Sequence, residues 1–178
     1  MKTLVLALAA LALVGTAAQA NAQYDLGASA GLYLPTSGNV RDAFGSQILK
    51  FGFGSVGKVS TGNLKIGTGL DFITANKNGN RMLVIPFTVN VEQALTMDRN
   101  ASTKPYVKGF AGLAYMDFGI TTNAIRTEEK AVRMTVGAEF GIVMSDRIRL
   151  SARYNYFPKV GGYDLSGISL NATFGFGG

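Results

Sequence analysis

The chain has 178 residues, 17 basic and 11 acidic side chains and a formal net charge of +6. It has neither cysteine nor histidine, which excludes a disulfide framework, thiol chemistry, and a histidine acting as general base or metal ligand. The basic residues are scattered, without the run that a nucleic-acid arm uses, so no nucleic-acid partner is expected.

The N-terminus reads as a secretory signal peptide over residues 1–20. Lys2 supplies the basic start, Leu4 to Val14 the apolar core, and Ala18-Gln19-Ala20 the small-residue cleavage site. The apolar run is shorter than the roughly 20 residues a spanning helix needs. Residues 21–178 then suit one domain, read as all-β.

Period-two alternation begins at Tyr24, with Leu26, Ala28, Ala30, Leu32 and Leu34 opposing Asp25, Gly27, Ser29, Gly31 and Tyr33. Pro35 breaks it, and a polar loop is expected to about Gln47. In the second strand Leu49, Phe51 and Phe53 oppose Lys50, Gly52 and Gly54, and Ser60-Thr61-Gly62-Asn63 reads as a tight turn. The third sets Leu64, Ile66, Leu70 and Phe72 against Lys65, Gly67, Gly69 and Asp71; a loop over 76–80 follows. The fourth, Met82 to Glu92, has Leu83, Ile85, Phe87, Val89 and Val91 on one face. Its other face starts unusually apolar with Met82, Val84 and Pro86, and Pro86 predicts a bulge or irregularity because it lacks an N–H.

After a connection over 93–104, the fifth strand sets Val107, Ala111, Leu113 and Tyr115 against Lys108, Phe110, Gly112 and Ala114. A loop is expected over 119–130. The sixth and seventh strands form the longest hairpin pattern. Val132, Met134, Val136, Ala138, Phe140 and Ile142 alternate with Arg133, Thr135, Gly137, Glu139 and Gly141; Ile148, Leu150, Ala152, Tyr154 and Tyr156 alternate with Arg149, Ser151, Arg153 and Asn155. The last strand, Ile168 to Phe176, follows a loop over 158–166.

Eight strands of about ten residues are the length that crosses a bilayer when tilted near 45°. None of the residues on the apolar faces is charged. A soluble lipocalin-like periplasmic barrel would share this periodicity with its apolar face inward. Three features favour the inverted arrangement, an eight-stranded antiparallel up-and-down transmembrane β-barrel. The charged face is rich in glycine, the export signal precedes strands without cysteine, and aromatics gather near strand ends. Tyr24, Tyr106 and Phe176 would form one girdle and Phe51, Phe72, Tyr115, Tyr154 and Tyr156 the other.

Pro105-Tyr106-Val107, Gly112-Leu113-Ala114-Tyr115, Val136-Gly137-Ala138-Glu139-Phe140 and Arg149-Leu150-Ser151-Ala152-Arg153-Tyr154-Asn155-Tyr156 resemble segments of small outer-membrane β-barrels of the OmpA transmembrane domain and OmpX group. The resemblance implies an outer-membrane location, a surround of outer-membrane lipid, and recognition of Ile168 to Phe176 by the barrel-assembly machinery. Family members usually end on an aromatic residue, whereas here Gly177-Gly178 follow Phe176.

Inward residues must pair with inward residues. A three-residue turn at Ser145-Asp146-Arg147 pairs Met144 with Ile148 and sets Glu139 opposite Arg153, with Arg149 nearby, predicting an interior ion pair or network. Lys50, Asp71, Lys108 and Arg133 are the other interior charges expected. Met82, Val84, Pro86 and Phe110 could line an apolar pocket, with Pro86 and Phe110 brought together across strands four and five. The function expected is a structural or surface-interaction role in the cell envelope. The alternative is a narrow channel or binding barrel for small hydrophobic molecules. No cofactor or metal cluster is expected, and the lipid-modifying barrel enzymes that carry a His-Ser constellation find no histidine here. The outer loops carry no recognisable ligand motif, so their partner is left open.

Overall fold

The computed structural model describes residues 24–58, 64–95, 102–122, 125–145 and 148–176. The expected signal peptide and the Ser60–Asn63 turn lie outside them. Eight antiparallel strands close in sequence order into one barrel: β1 (Tyr24–Pro35), β2 (Ile48–Lys58), β3 (Leu64–Lys77), β4 (Asn80–Ala94), β5 (Lys104–Thr122), β6 (Ile125–Ser145), β7 (Ile148–Tyr156) and β8 (Gly167–Phe176). β8 pairs with β1, from Leu26 opposite Phe176 to Pro35 opposite Gly167. Closure leaves no edge along the shared height of the wall, the condition a sheet must meet in lipid.

The alternation sets the two faces. Leu26, Phe53, Leu113, Met134, Phe140 and Leu170 stand exposed on the outside, while Lys50, Asp71, Glu92, Glu139 and Arg153 are buried inside. An apolar exterior over a charged interior is the inverse of a water-soluble barrel.

Glycine makes room for that interior. Gly52 pairs with Asp71, Gly31 with Lys50, Gly137 with Phe110 and Gly141 with Tyr106. A Cβ added at Gly137 would strike the Phe110 ring, and one at Gly141 the Tyr106 ring. These four bulky inward side chains thus each lie beside a neighbour that has none.

Several connections differ from the sequence expectation. The polar loop over 35–47 contains a helix, α1 (Gly38–Phe44). Val40, Ala43 and Phe44 fall at i, i+3 and i+4, so one face of its two turns is apolar and buried. Gly45, at φ 100°, ends it. The loop over 76–80 is a tight turn in which Lys77 pairs with Asn80 around Asn78 and Gly79, both at positive φ, as hairpin turns of the primed type require. The loop expected over 119–130 is instead a continuation of β5 and β6, strands of 19 and 21 residues. Its charges read as loop, but Lys130 pairs across the ladder with Asp117, and Thr121, Thr127 and Ile120 suit a strand.

Pro86 makes no bulge. Leu70 pairs with Phe87 and Ile73 with Val84 in one unbroken register, and the β3–β4 pairing lapses only between them, where proline has no N–H to give. At the β6–β7 turn Ser145, not Met144, pairs with Ile148. A register shift between Val143 and Ser145 absorbs the extra residue.

Replacing Gly137 with alanine should destabilise the barrel by about 1–3 kcal/mol through overpacking against the Tyr154 carbonyl and the Phe110 ring. Gly109, around which a Cβ would meet nothing within 4 Å, should tolerate alanine within about 0.5 kcal/mol. Urea titrations of both variants folded into lipid vesicles check the contrast.

Candidate functional site in the barrel lumen

The lumen is stratified. At the end away from the chain termini it is filled by an apolar plug. Val40, Ala43 and Phe44 of α1 pack with Ile73 of β3, Met82 and Val84 of β4, Met116, Phe118 and Ile120 of β5, and Phe157, Val160 and Leu165 of the β7–β8 connection. Full burial of Val40 and Phe44 stabilises this arrangement by about 1.5–3 kcal/mol each.

Hydrogen bonds tie the plug to the wall. The Tyr33 hydroxyl donates to the Leu165 carbonyl. Asn80 donates to the Ala43 carbonyl at 3.2 Å and accepts from the Thr121 N–H at 2.8 Å, holding α1 against two strands. Ser166 accepts from the Phe157 N–H at 3.1 Å, and its carbonyl accepts from the Thr36 N–H at 3.0 Å.

Below the plug lies a charged layer. Five inward positions follow one another around the ladder: Lys65 opposite Glu92, Glu92 opposite Lys108, Lys108 opposite Glu139, and Glu139 opposite Arg153. Their signs alternate, so most cross-strand neighbours in this row attract. Lys108 reaches Glu139 at 3.1 Å and Glu92 at 3.6 Å. Arg149 crosses the lumen to Glu92 at 2.9 Å, and Lys65 stands 4.0 Å from the same carboxylate. Asp71 takes Arg153 at 2.9 Å and Lys50 at 3.3 Å, and Lys50 also donates to Asn171 at 3.1 Å.

Glu139 and Arg153 therefore face each other, and of the ion pair or network expected of them the structure shows the network, each taking a different partner. Glu139 accepts from Lys108 and, at 2.7 Å, from the Tyr106 hydroxyl, both on β5. Arg153, with the longer arm, spans to Asp71 on β3 and lays its guanidinium on Phe110, 3.6 Å from the ring centre. Two expectations are corrected. Arg133 has the inward phase but is exposed, because β7 ends at Tyr156 opposite Val136 and no strand closes over it. The apolar set does not form one pocket. Pro86 stands opposite Ala114 and Phe110 opposite Asn90, while Met82 and Val84 are consumed by the plug.

Tyr106 joined the site in place of its expected girdle position, and Glu92 and Lys65, which share the phase of the charged faces, joined it without an assigned partner. Parity was the available signal: Tyr106 shares its phase with Lys108 and Phe110. That phase overrides the expected girdle position, since Tyr106 is 2 % exposed and lies inside. The side chains of Tyr24 and Phe176, the other members of that girdle, lie outside the described residues. At the rim beyond the plug, Asp117 pairs with Arg81 and Lys130, each at 3.5 Å. The hydrogen-bonded Arg126 guanidinium, 2.8 Å away, holds the Glu128 carboxyl below its usual range.

Among the described residues no group of acidic side chains could hold a metal ion. The layer fixes charge across the lumen, and among the described residues it carries no recognisable nucleophile–base pair.

Double-mutant cycles should give coupling of about 1–3 kcal/mol for Asp71 with Arg153 and for Glu139 with Lys108. The Glu139–Arg153 coupling should be smaller. Urea titration in vesicles reads all three, and a dominant Glu139–Arg153 coupling would overturn the assignment of partners.

Residues 4–176 match the family model described as outer membrane protein beta-barrel domain. No curated protein matches the chain. Among solved structures, Neisserial surface protein A is similar at 14% identity and a TM-score of 0.62, over 88% of this chain and 99% of that one. Ail of Yersinia pestis gives 9% identity and 0.58, over 87% and 97%. The N-terminal barrel domain of Pseudomonas aeruginosa OprF gives 12% and 0.52, over 88% and 100%. At these identities the structures share the fold. The chain belongs to the outer membrane protein beta-barrel domain family, and its place is the bacterial outer membrane.

Proposed function

We propose that this protein is a closed, non-catalytic barrel with a structural or surface-interaction role at the outer face of the membrane. The observation that carries the reading is the filled lumen. The packed plug of α1 and the β7–β8 connection lies over a charged layer whose cations and carboxylates meet across the barrel. Eight strands leave little interior width, and these two layers occupy it. A passage for small hydrophobic molecules would need the apolar positions Met82 and Val84 to line open space, and they are 2 % and 1 % exposed.

The reading includes export by removal of residues 1–20 and assembly through the last strand, Ile168 to Phe176. The outward face of β8 is apolar, with Ile168, Leu170 and Phe174 exposed, as a strand presented to lipid requires. The protruding β5–β6 hairpin, with Asp117, Arg126, Glu128 and Lys130 and with Arg81 of the neighbouring β4 beside it, is where a surface partner would be met.

Single-channel recordings of the purified barrel in planar bilayers test the central point. The expected trace is silent at moderate voltage. A steady open conductance from the unmodified protein would contradict the closed-barrel reading.

A further inference from the structure

Beneath the charged layer is a cavity of about 100 Å³, on the side of the barrel that carries both chain termini. This is room for several waters or one small ion. Its charged lining consists of Lys50, Lys108, Arg149 and Arg153 against Asp71 and Glu139. Four cations thus face two carboxylates. Adding Glu92 and Lys65, which extend the same ion-pair layer, preserves the excess of two positive charges among the described residues.

Such an excess is costly inside a wall whose outer surface is apolar, because neighbouring lipid cannot solvate it. The rest of the lining supplies hydroxyls, from Ser29, Ser55, Thr68, Ser151 and Thr173. Arg153, 7 % exposed, spends only Nη1 on a carboxylate; its buried Nε and Nη2 have no hydrogen-bond partner. Arg149 shares Glu92 with Lys65 and with Lys108, whose nearer carboxylate is Glu139. The lining also holds one unpartnered acceptor, Asn90 Oδ1, against the two unpartnered Arg153 nitrogens.

We propose that this cavity is a binding site for a small tetrahedral oxyanion of the phosphate or sulfate class. Guanidinium forks and hydroxyls are the groups that recognise such an ion, and Arg153, with its unpartnered Nε and Nη2, lines the cavity together with Arg149 and Lys108. The site is built by the same alternating row that seals the barrel, so its occupant reinforces the seal. An open barrel could still bind the ion, and a silent barrel could fail to, so this proposal and the closed-barrel reading fail separately.

The probe is inorganic phosphate, titrated calorimetrically into the refolded full-length barrel at fixed ionic strength. One saturable site per chain is expected, and the urea midpoint of the unmodified protein should rise with phosphate as ligand linkage requires. The double variant Lys108→Gln/Arg149→Gln should bind at least about tenfold more weakly. Arg133→Gln, exposed on β6 and outside the cavity lining, should bind as the unmodified protein does. If the double variant fails to fold by heat-modifiable gel mobility, Arg149→Lys serves in its place; it keeps the charge, loses the fork and should weaken binding by a smaller factor.

Vesicles distinguish the source of the ion. A lipid headgroup in the cavity would make anionic phospholipid compete with phosphate, whereas a free ion would leave affinity the same in anionic and zwitterionic vesicles. Either result supports the site. Absence of a saturable response and of any midpoint shift in the unmodified protein overturns it. So does a response that the lumen variants leave unchanged.

Discussion

Lipid cannot hydrogen-bond a backbone or solvate a charge, and the structure follows from that one constraint. The sheet has to close, and its charges have to turn inward. Once inside a narrow barrel they must find partners within reach. The row from Lys65 through Glu92, Lys108 and Glu139 to Arg153 meets that demand by alternating sign from strand to strand. Register and electrostatics are therefore the same fact here. Slipping any of these strands by one residue would turn its inward charges toward lipid.

Space is the second demand. A row of Lys, Arg and Tyr side chains cannot fit in eight strands unless neighbours give way. Glycine opposite Tyr106, Phe110, Asp71 and Lys50 provides the room, and the aromatic rings so placed become floors for cations. Arg153 lies on Phe110, and Lys108 and Arg149 stand over Tyr106 at 5.3 and 5.7 Å. The aromatics thus let long cationic arms lie flat against the wall as they reach across. Above this layer the physics reverses: α1 and the β7–β8 connection bring their own apolar residues and fill the lumen as an ordinary core.

The strands and their two faces were legible in the sequence because period two is enforced at every position. Glu139 opposite Arg153 followed from the β6–β7 pattern even though the turn divides its residues differently, since a register shift restores the phase. Pairing in the ladder is a backbone property; which carboxylate an arginine chooses is not. Arg153 reaches across the lumen to Asp71 on β3, four strands from β7, and nothing local to β6 and β7 announces it. Arg133 shows the complementary limit. Its phase is inward, but where a neighbouring strand stops is decided by Pro158 and the loop after it. The plug helix was written in the sequence, in the spacing of Val40, Ala43 and Phe44, but a seven-residue helix has no stability without the cavity it fills.

The most direct test of an inverted barrel uses the absence of tryptophan from the chain. Single tryptophans can be placed on β5 and β6 and exposed to lipids brominated on their acyl chains. The account predicts strong quenching for Leu113→Trp and Phe140→Trp, whose native side chains are exposed on the outer face. It predicts little for Tyr106→Trp and Phe110→Trp, whose native side chains are buried in the lumen. Quenching of Phe110→Trp as strong as that of Phe140→Trp would contradict it.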